Sequence, residues 1–138
     1  MQTDTTVGFL SQDEARLQAI KERPSTKPFL KVYKSFKALK NASQRVPSKR
    51  KREVRRAKKT TFIVKNLAFR VAADTLHSKL LTDIMWNYST SANERSKNFD
   101  RAFCEEKTDI IIEDKHSLYE GPSSKLYKIN NRKKVRLR

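Results

Sequence analysis

The side chains best able to do chemistry here are cations. Lys49, Arg50, Lys51, Arg52, Arg55, Arg56, Lys58 and Lys59 crowd one short stretch, interrupted by a single carboxylate, Glu53. A second cluster, Arg132, Lys133, Lys134, Arg136 and Arg138, alternates in part with Val135 and Leu137. Guanidinium and ammonium groups at this density suit phosphate oxygens. Each phosphate they neutralise releases counterions, so binding should fall steeply with salt. Such contacts position a backbone and do not read bases. Arg52, Arg55, Arg56 and Lys59 have the spacing of one helical face, yet like charges at that spacing repel. The spacing therefore predicts a partly disordered arm that folds when an anion neutralises it. Lys49 to Arg52 also has the form of a nuclear import signal.

One arrangement could be catalytic. Asp100 is followed by Glu113, Asp114 and Lys115, directly after the apolar run Ile110 to Ile112. Other chemistries find little material. Cys104 is the single cysteine, with His77 and His116 the only histidines, so neither an internal disulfide nor a multi-cysteine zinc site is expected. Gly8 and Gly121 are the only glycines, which argues against a phosphate-cradling loop. No cofactor is expected.

The elements that must carry these residues belong to a chain of 138 residues with 32 basic and 15 acidic side chains, a net charge of +17. That length supports one domain with extensions. The charge is uneven: residues 25–59 hold 14 basic groups against one acid, residues 122–138 hold 7 against none, and residues 94–121 are net acidic. The excess thus flanks a nearly neutral middle, and its field attracts nucleic acid or an anionic membrane surface. No apolar run approaches the roughly 18 residues that span a bilayer, and Asp4 interrupts any signal-peptide pattern. The expected compartment is the nucleus before the cytosol.

Residues 1–10 read as loose. Ser11 with Glu14 forms a capping-box pattern for a short helix over 11–22, which Pro24 stops. Phe29, Val32, Tyr33, Phe36 and Leu39 share one helical arc opposite Lys31, Lys34 and Lys37, so a basic amphipathic helix is expected over 28–40 with Thr26 as its cap. Thr60 to Phe69 is β-branched and aromatic and reads as a strand. A helix follows from Asp74, with Leu76, Leu80, Leu81, Ile84 and Met85 inward, closed by Trp86 and Tyr88. A single helix over 62–86 is the competing reading. Residues 89–98 read as a polar loop and 99–115 as a charged hairpin. Lys125 to Ile129 reads as a last strand before a turn at Asn130 and Asn131.

Two resemblances follow. Phe62-Ile63-Val64-Lys65-Asn66-Leu67, with Ala73 to Leu76 after it, resembles the first strand and first helix of the RNA-recognition-motif family. Ile63 stands where that family has its first stacking aromatic. Phe99 to Cys104 lies near the expected place of its second motif, and there the resemblance makes Phe103 a base-stacking residue on an RNA-binding sheet. Residues 99–115 are similar to the two-strand core of the PD-(D/E)xK nucleases. That resemblance implies Asp100 and Glu113 as Mg²⁺ ligands on adjacent strands and Lys115 as the group orienting the attacking water.

The expected fold is α+β: a short sheet with packed helices, preceded by a basic, partly disordered arm. The parts are a flexible N-terminus with a short helix (1–26), a basic helix and cationic arm (27–59), an α+β core (60–130) and a basic tail (131–138). The expected activity is binding rather than catalysis. The partner is nucleic acid, RNA before DNA, held by Lys49–Arg52, Arg55, Arg56, Lys58, Lys59, Phe103, Arg132–Lys134 and Arg136. Proteins of a ribonucleoprotein particle are further expected partners. The alternatives are the Mg²⁺ nuclease and a protein whose 28–40 helix docks on a membrane or an acidic partner.

Overall fold

A computed structural model of the chain describes all residues except 23–27, 73–74, 95–96, 114 and 117. Thr60–Val64 and Leu67–Val71 are separate strands, joined only by Lys65 and Asn66. Both turn residues have positive φ, 48° and 67°, the geometry whose twist matches that of a tight hairpin. Phe62 and Phe69 face each other across it. The single strand expected over 60–69 is therefore two.

In chain order the elements are β1 (Gly8–Ser11), α1 (Glu14–Lys21), β2 (Leu30–Tyr33), α2 (Phe36–Asn41), a 3₁₀ turn (Ser48–Arg50), α3 (Lys51–Arg56), β3 (Thr60–Val64), β4 (Leu67–Val71), α4 (Leu76–Ile84), β5 (Trp86–Ser91), α5 (Arg101–Glu106), β6 (Lys125–Ile129) and β7 (Lys134–Arg136). The strands make one sheet in the order β1-β5-β2-β4-β3-β6-β7. The β2–β4 and β3–β6 pairs are parallel and the rest antiparallel. The α+β class expected from the sequence is the class the chain adopts.

Several local expectations give way. Residues 1–10 are not loose: β1 pairs β5, and Asp4, Val7 and Phe9 are buried. The helix expected over 28–40 is β2 followed by α2, whose first turn is capped by Ser35 Oγ accepting from Ala38 N at 3.1 Å. Trp86 and Tyr88 do not close a helix but begin β5, between β1 and β2. In place of the 99–115 hairpin stands α5, and residues 110–113 form no strand. The tail pairs with β6 as β7. Two helices fall near their expected places: α1, capped by Asp13 Oδ1 on Arg16 N at 3.1 Å, and α4, where Thr75 N donates to Ser78 Oγ at 3.1 Å. Pro24, Thr26 and Asp74 lie outside the described residues.

Alternation along each strand divides the sheet's faces. On one face Tyr33, Phe62, Val64, Phe69 and Ile129 meet Phe36 and Leu39 of α2 and Val54 of α3. Beside this layer, Phe9 and Phe29 meet Leu17 of α1. On the other face lie Thr61, Arg70, Val32 and Asn87, one row across four strands. This row is largely polar and buried. Arg70 forms a 3.7 Å ion pair with Asp4, their side chains 8% and 2% exposed. It also donates to Thr61 Oγ1 at 3.0 Å. His77 of α4 bonds Asn87 Oδ1 at 3.2 Å. Burial holds the His77 imidazole below its ordinary pKa, against opposing effects of the Asn87 bond and of Asp4.

Candidate nucleic-acid interface

Val54 decides where the cationic arm points. It is 1% exposed and packs in the aromatic layer with Phe36 and Phe62. At 100° per residue, Arg52 and Arg56 then lie within about 20° of the opposite, outward side of α3. Arg55 lies to one flank, its guanidinium 4.9 Å from the centre of the Phe36 ring. Glu53 lies to the other flank and is shared by Arg50, at 3.6 Å, and Lys134. The four residues expected on one face are thus divided. Arg52 and Arg56 point away from the core, Arg55 lies along the surface, and Lys59 falls beyond α3 with φ 44°.

The same contacts bring the two cationic segments together. Arg50 Nε donates to the Asn130 carbonyl at 3.4 Å, and the Lys134 ammonium sits 4.0 Å over the Tyr127 ring. Asn130 Oδ1 accepts from Arg132 N and Lys133 N at 2.8 and 2.7 Å, fixing the turn between β6 and β7. At the far end of the sheet, Lys125 N bonds the Lys59 carbonyl and Arg138 Nε donates to the Ser124 carbonyl. So α3 runs from the Asn130 end toward the start of β3, with the side chains of Arg50 and Glu53 reaching the β6–β7 turn and β7. Lys49, Lys51, Arg52, Arg55, Arg56, Lys58, Lys59, Arg132, Lys133, Lys134 and Arg136 are all exposed along this strip. Its length is that of β6, about 17 Å at ~3.3 Å per residue.

Among the described residues no ion pair joins the acidic segment to the strip. The segment's pairs use other cations: Asp109 with Arg16 at 2.6 Å, Glu113 and Glu105 with Arg101 at 3.0 and 2.6 Å, and Glu94 with Lys97 at 2.7 Å.

Asp100, Glu113 and Lys115 have the following placements among the described residues. Asp100 Oδ1 caps α5 by accepting from Phe103 N at 3.3 Å. Glu113 turns to Arg101 rather than to Asp100, and no paired strands hold the two carboxylates. Lys115 is exposed, and Asp114 lies outside the described residues. Among the described residues no three of His, Cys, Asp and Glu gather as metal ligands would. Burial raises the Cys104 thiol pKa, and its Sγ donates to the Ala92 carbonyl at 3.2 Å, so it is a poor nucleophile.

Phe103 also departs from its expected role. It lies on α5, edge-on to Phe9 with ring centres 6.2 Å apart, and packs against the β1 end of the core. It is therefore a half-buried helix residue and does not lie on the sheet. The residues resembling the first RNA-recognition strand are split by the Lys65-Asn66 turn. Phe62 is buried between Phe69 and Tyr127.

The sequence reading missed a cleft of about 310 Å³ beside the start of β2. Lys31, Arg45 and Lys65 line it together with Glu14, Tyr33, Tyr88 and Leu67. The Lys31 ammonium rests 3.6 Å over the Trp86 ring and within 6 Å of Tyr33 and Tyr88. Burial lowers its pKa, against the attraction of Glu14. Burial pushes the Tyr33 phenol up to about 12, so it acts as a neutral hydrogen-bonding group. The signal was there in the alternations Lys31/Tyr33 and Trp86/Tyr88, whose period of two places each pair on one face of a strand.

Among the described residues no helix is long and apolar enough to cross a membrane. A scan against protein-family models finds no match, and a search of curated proteins finds none similar enough to match this chain.

Proposed function

We propose that this chain binds nucleic acid, RNA before DNA, by laying a phosphate backbone along the strip formed by α3 and β7. The observation that carries this is the meeting of two cationic segments, distant in sequence, through Glu53, Lys134, Arg50 and Asn130. Bringing like charges together is unfavourable unless an anion neutralises them. Glu53 is the one acid within residues 25–59 and cannot balance the strip alone.

RNA is favoured by the form of the strip. Sequence reading in DNA uses an element inserted into the major groove. Here α3 has six residues, about 9 Å at ~1.5 Å each, and Val54 holds it against the sheet. So short a helix presents few side chains, Arg52 and Arg56 chief among them, for reading bases in a groove. A surface strip suits recognition of backbone and shape. Nuclear placement and a ribonucleoprotein setting belong to this proposal, since Lys49, Lys51 and Arg52 remain exposed for an import receptor.

The test is fluorescence anisotropy with single-stranded and duplex RNA and DNA across a salt series. Binding with a steep salt slope and little sequence preference is expected. No binding of any polynucleotide at low ionic strength would end the proposal.

A further inference from the structure

We infer that the cleft beside β2 receives one unpaired nucleotide of the bound strand. This rests on the nucleic-acid reading and adds what the strip alone does not supply, a preference for single strands.

The placement follows from topology. The cleft is lined by Val64, Lys65 and Leu67, at the turn that ends β3, and by Phe29 and Lys31 at the start of β2. Because β6 runs parallel to β3, its Ile129 end and the Asn130–Lys133 turn lie at this same end of the sheet. The cationic strip thus leads toward the cleft. The cleft's volume, about 310 Å³, falls at the lower end of small-ligand sites, roughly 300–1,000 Å³.

The lining fits a nucleotide. Arg45 and Lys65 are exposed at the rim and supply charge for a phosphate. The half-buried ring of Tyr88, with exposed Leu67, provides the aromatic and apolar wall on which a base packs in single-strand sites, above the buried Tyr33 and Val64. Glu14 is the one carboxylate among the described residues of the lining; it bonds Tyr88 and has further lone pairs to accept from an exocyclic amine of a base. A paired base cannot enter, since its faces and its Watson–Crick edge are occupied within the duplex. A free strand can turn one base out at little cost.

The test compares Arg45→Gln/Lys65→Gln and, separately, Leu67→Glu with the parent protein. The probes are a short single-stranded oligoadenylate containing 2-aminopurine and a blunt RNA duplex of equal length. Leu67 is 53% exposed, so its replacement adds negative charge at the rim without opening the core. Two lost contacts to single strands should weaken oligoadenylate binding roughly 25-fold at about 0.1 M salt, with 2-aminopurine quenching reduced and duplex affinity within about twofold. Equal losses on both probes, or no loss on either, overturn the cleft assignment and leave the strip reading standing. If the parent protein binds neither probe, both readings fall.

Discussion

Replacing Arg52 and Arg56 with Gln tests the geometry of the arm more sharply than removing charge wholesale. With Val54 buried, these are the two cations of α3 that project directly away from the core. Arg55 lies against Phe36 instead, and Arg50 is held by Glu53 and Asn130. If each outward arginine meets one phosphate, the double variant should reduce the slope of log K against log salt by about 1.4 for single strands and about 1.8 for duplexes. If those contacts are purely electrostatic, affinity at about 0.1 M salt falls roughly 25- to 60-fold and the loss vanishes toward 1 M.

The assay is anisotropy over a salt series, with circular dichroism to check that the fold is intact. A matched control, Lys79→Gln with Lys97→Gln, removes the same net charge from exposed residues outside the strip. If binding reflected only the protein's overall field, control and variant would lose alike. That outcome, or an unchanged slope in the Arg52/Arg56 variant, would refute the assignment of α3 as the contact surface.

Three further outcomes follow from the packing. Val54→Ala removes two methyl groups from the aromatic layer and should cost about 1.5–3 kcal/mol in urea unfolding. It should also weaken RNA binding though no charge is lost; full affinity in the folded variant would show that docking of α3 is not needed. Arg70→Met leaves the buried Asp4 carboxylate without its cation, with Thr75 Oγ1 still donating to it at 3.0 Å, and should cost about 3–5 kcal/mol. Pairing it with Asp4→Leu should restore part of that loss, and additive losses would mean the two residues are not coupled. For His77, burial favours the neutral ring, opposed by Asn87 and Asp4, with Arg70 and the chain's amino group adding to the downward shift. The unfolded chain therefore takes up a proton near pH 6.5 that the folded chain refuses until lower pH. The stability due to neutral His77 is complete above pH 6.5 and declines below it. Denaturant titrations on both sides of that pH should show this fall in the parent and a flatter dependence in His77→Gln.

How far the fold could be read from the chain depended on what each element faces. Helix α1 was legible because Leu17 and Ile20 mark its inner side, although Asp13 caps it in place of the expected Ser11. Strand β6 was legible because Leu126, Tyr127 and Ile129 stand between turn residues. Strand β2 was not, because both its faces are covered. Val32 lies on the α4 side, Tyr33 on the α2 side, and both are buried. A strand apolar on successive residues cannot be told from a helix by periodicity, and Phe36 and Leu39 of α2 extended the false stripe. Strand β5 was hidden for the opposite reason. Asn87 is 0% exposed, yet it belongs to a buried polar row whose partners, among them His77, are unpredictable from spacing. The hairpin was missed because Lys65-Asn66 lacks the glycine of the usual turn pair.

The cationic residues were legible as a class but not as a surface. Composition showed an excess; only Val54 packing inward and β7 joining β6 show that the excess converges. That convergence carries a cost of its own. Two like charges about 10 Å apart repel by roughly 0.4 kcal/mol in water before salt screening. The strip holds many such pairs, and Glu53 is the acid seen to bridge it among the described residues. A surface selected only for solubility would spread its charges and gain nothing by gathering them. A surface built for a polyanion gathers them and is stabilised when the anion arrives, because a ligand that binds the folded form alone raises its stability by mass action. The Arg52/Arg56 variant should therefore melt higher than the parent in low salt without RNA, and lower than the parent when RNA is present. Variants of a merely solvated charge run would show no such reversal, and its absence would leave the gathered charge without the purpose argued for it.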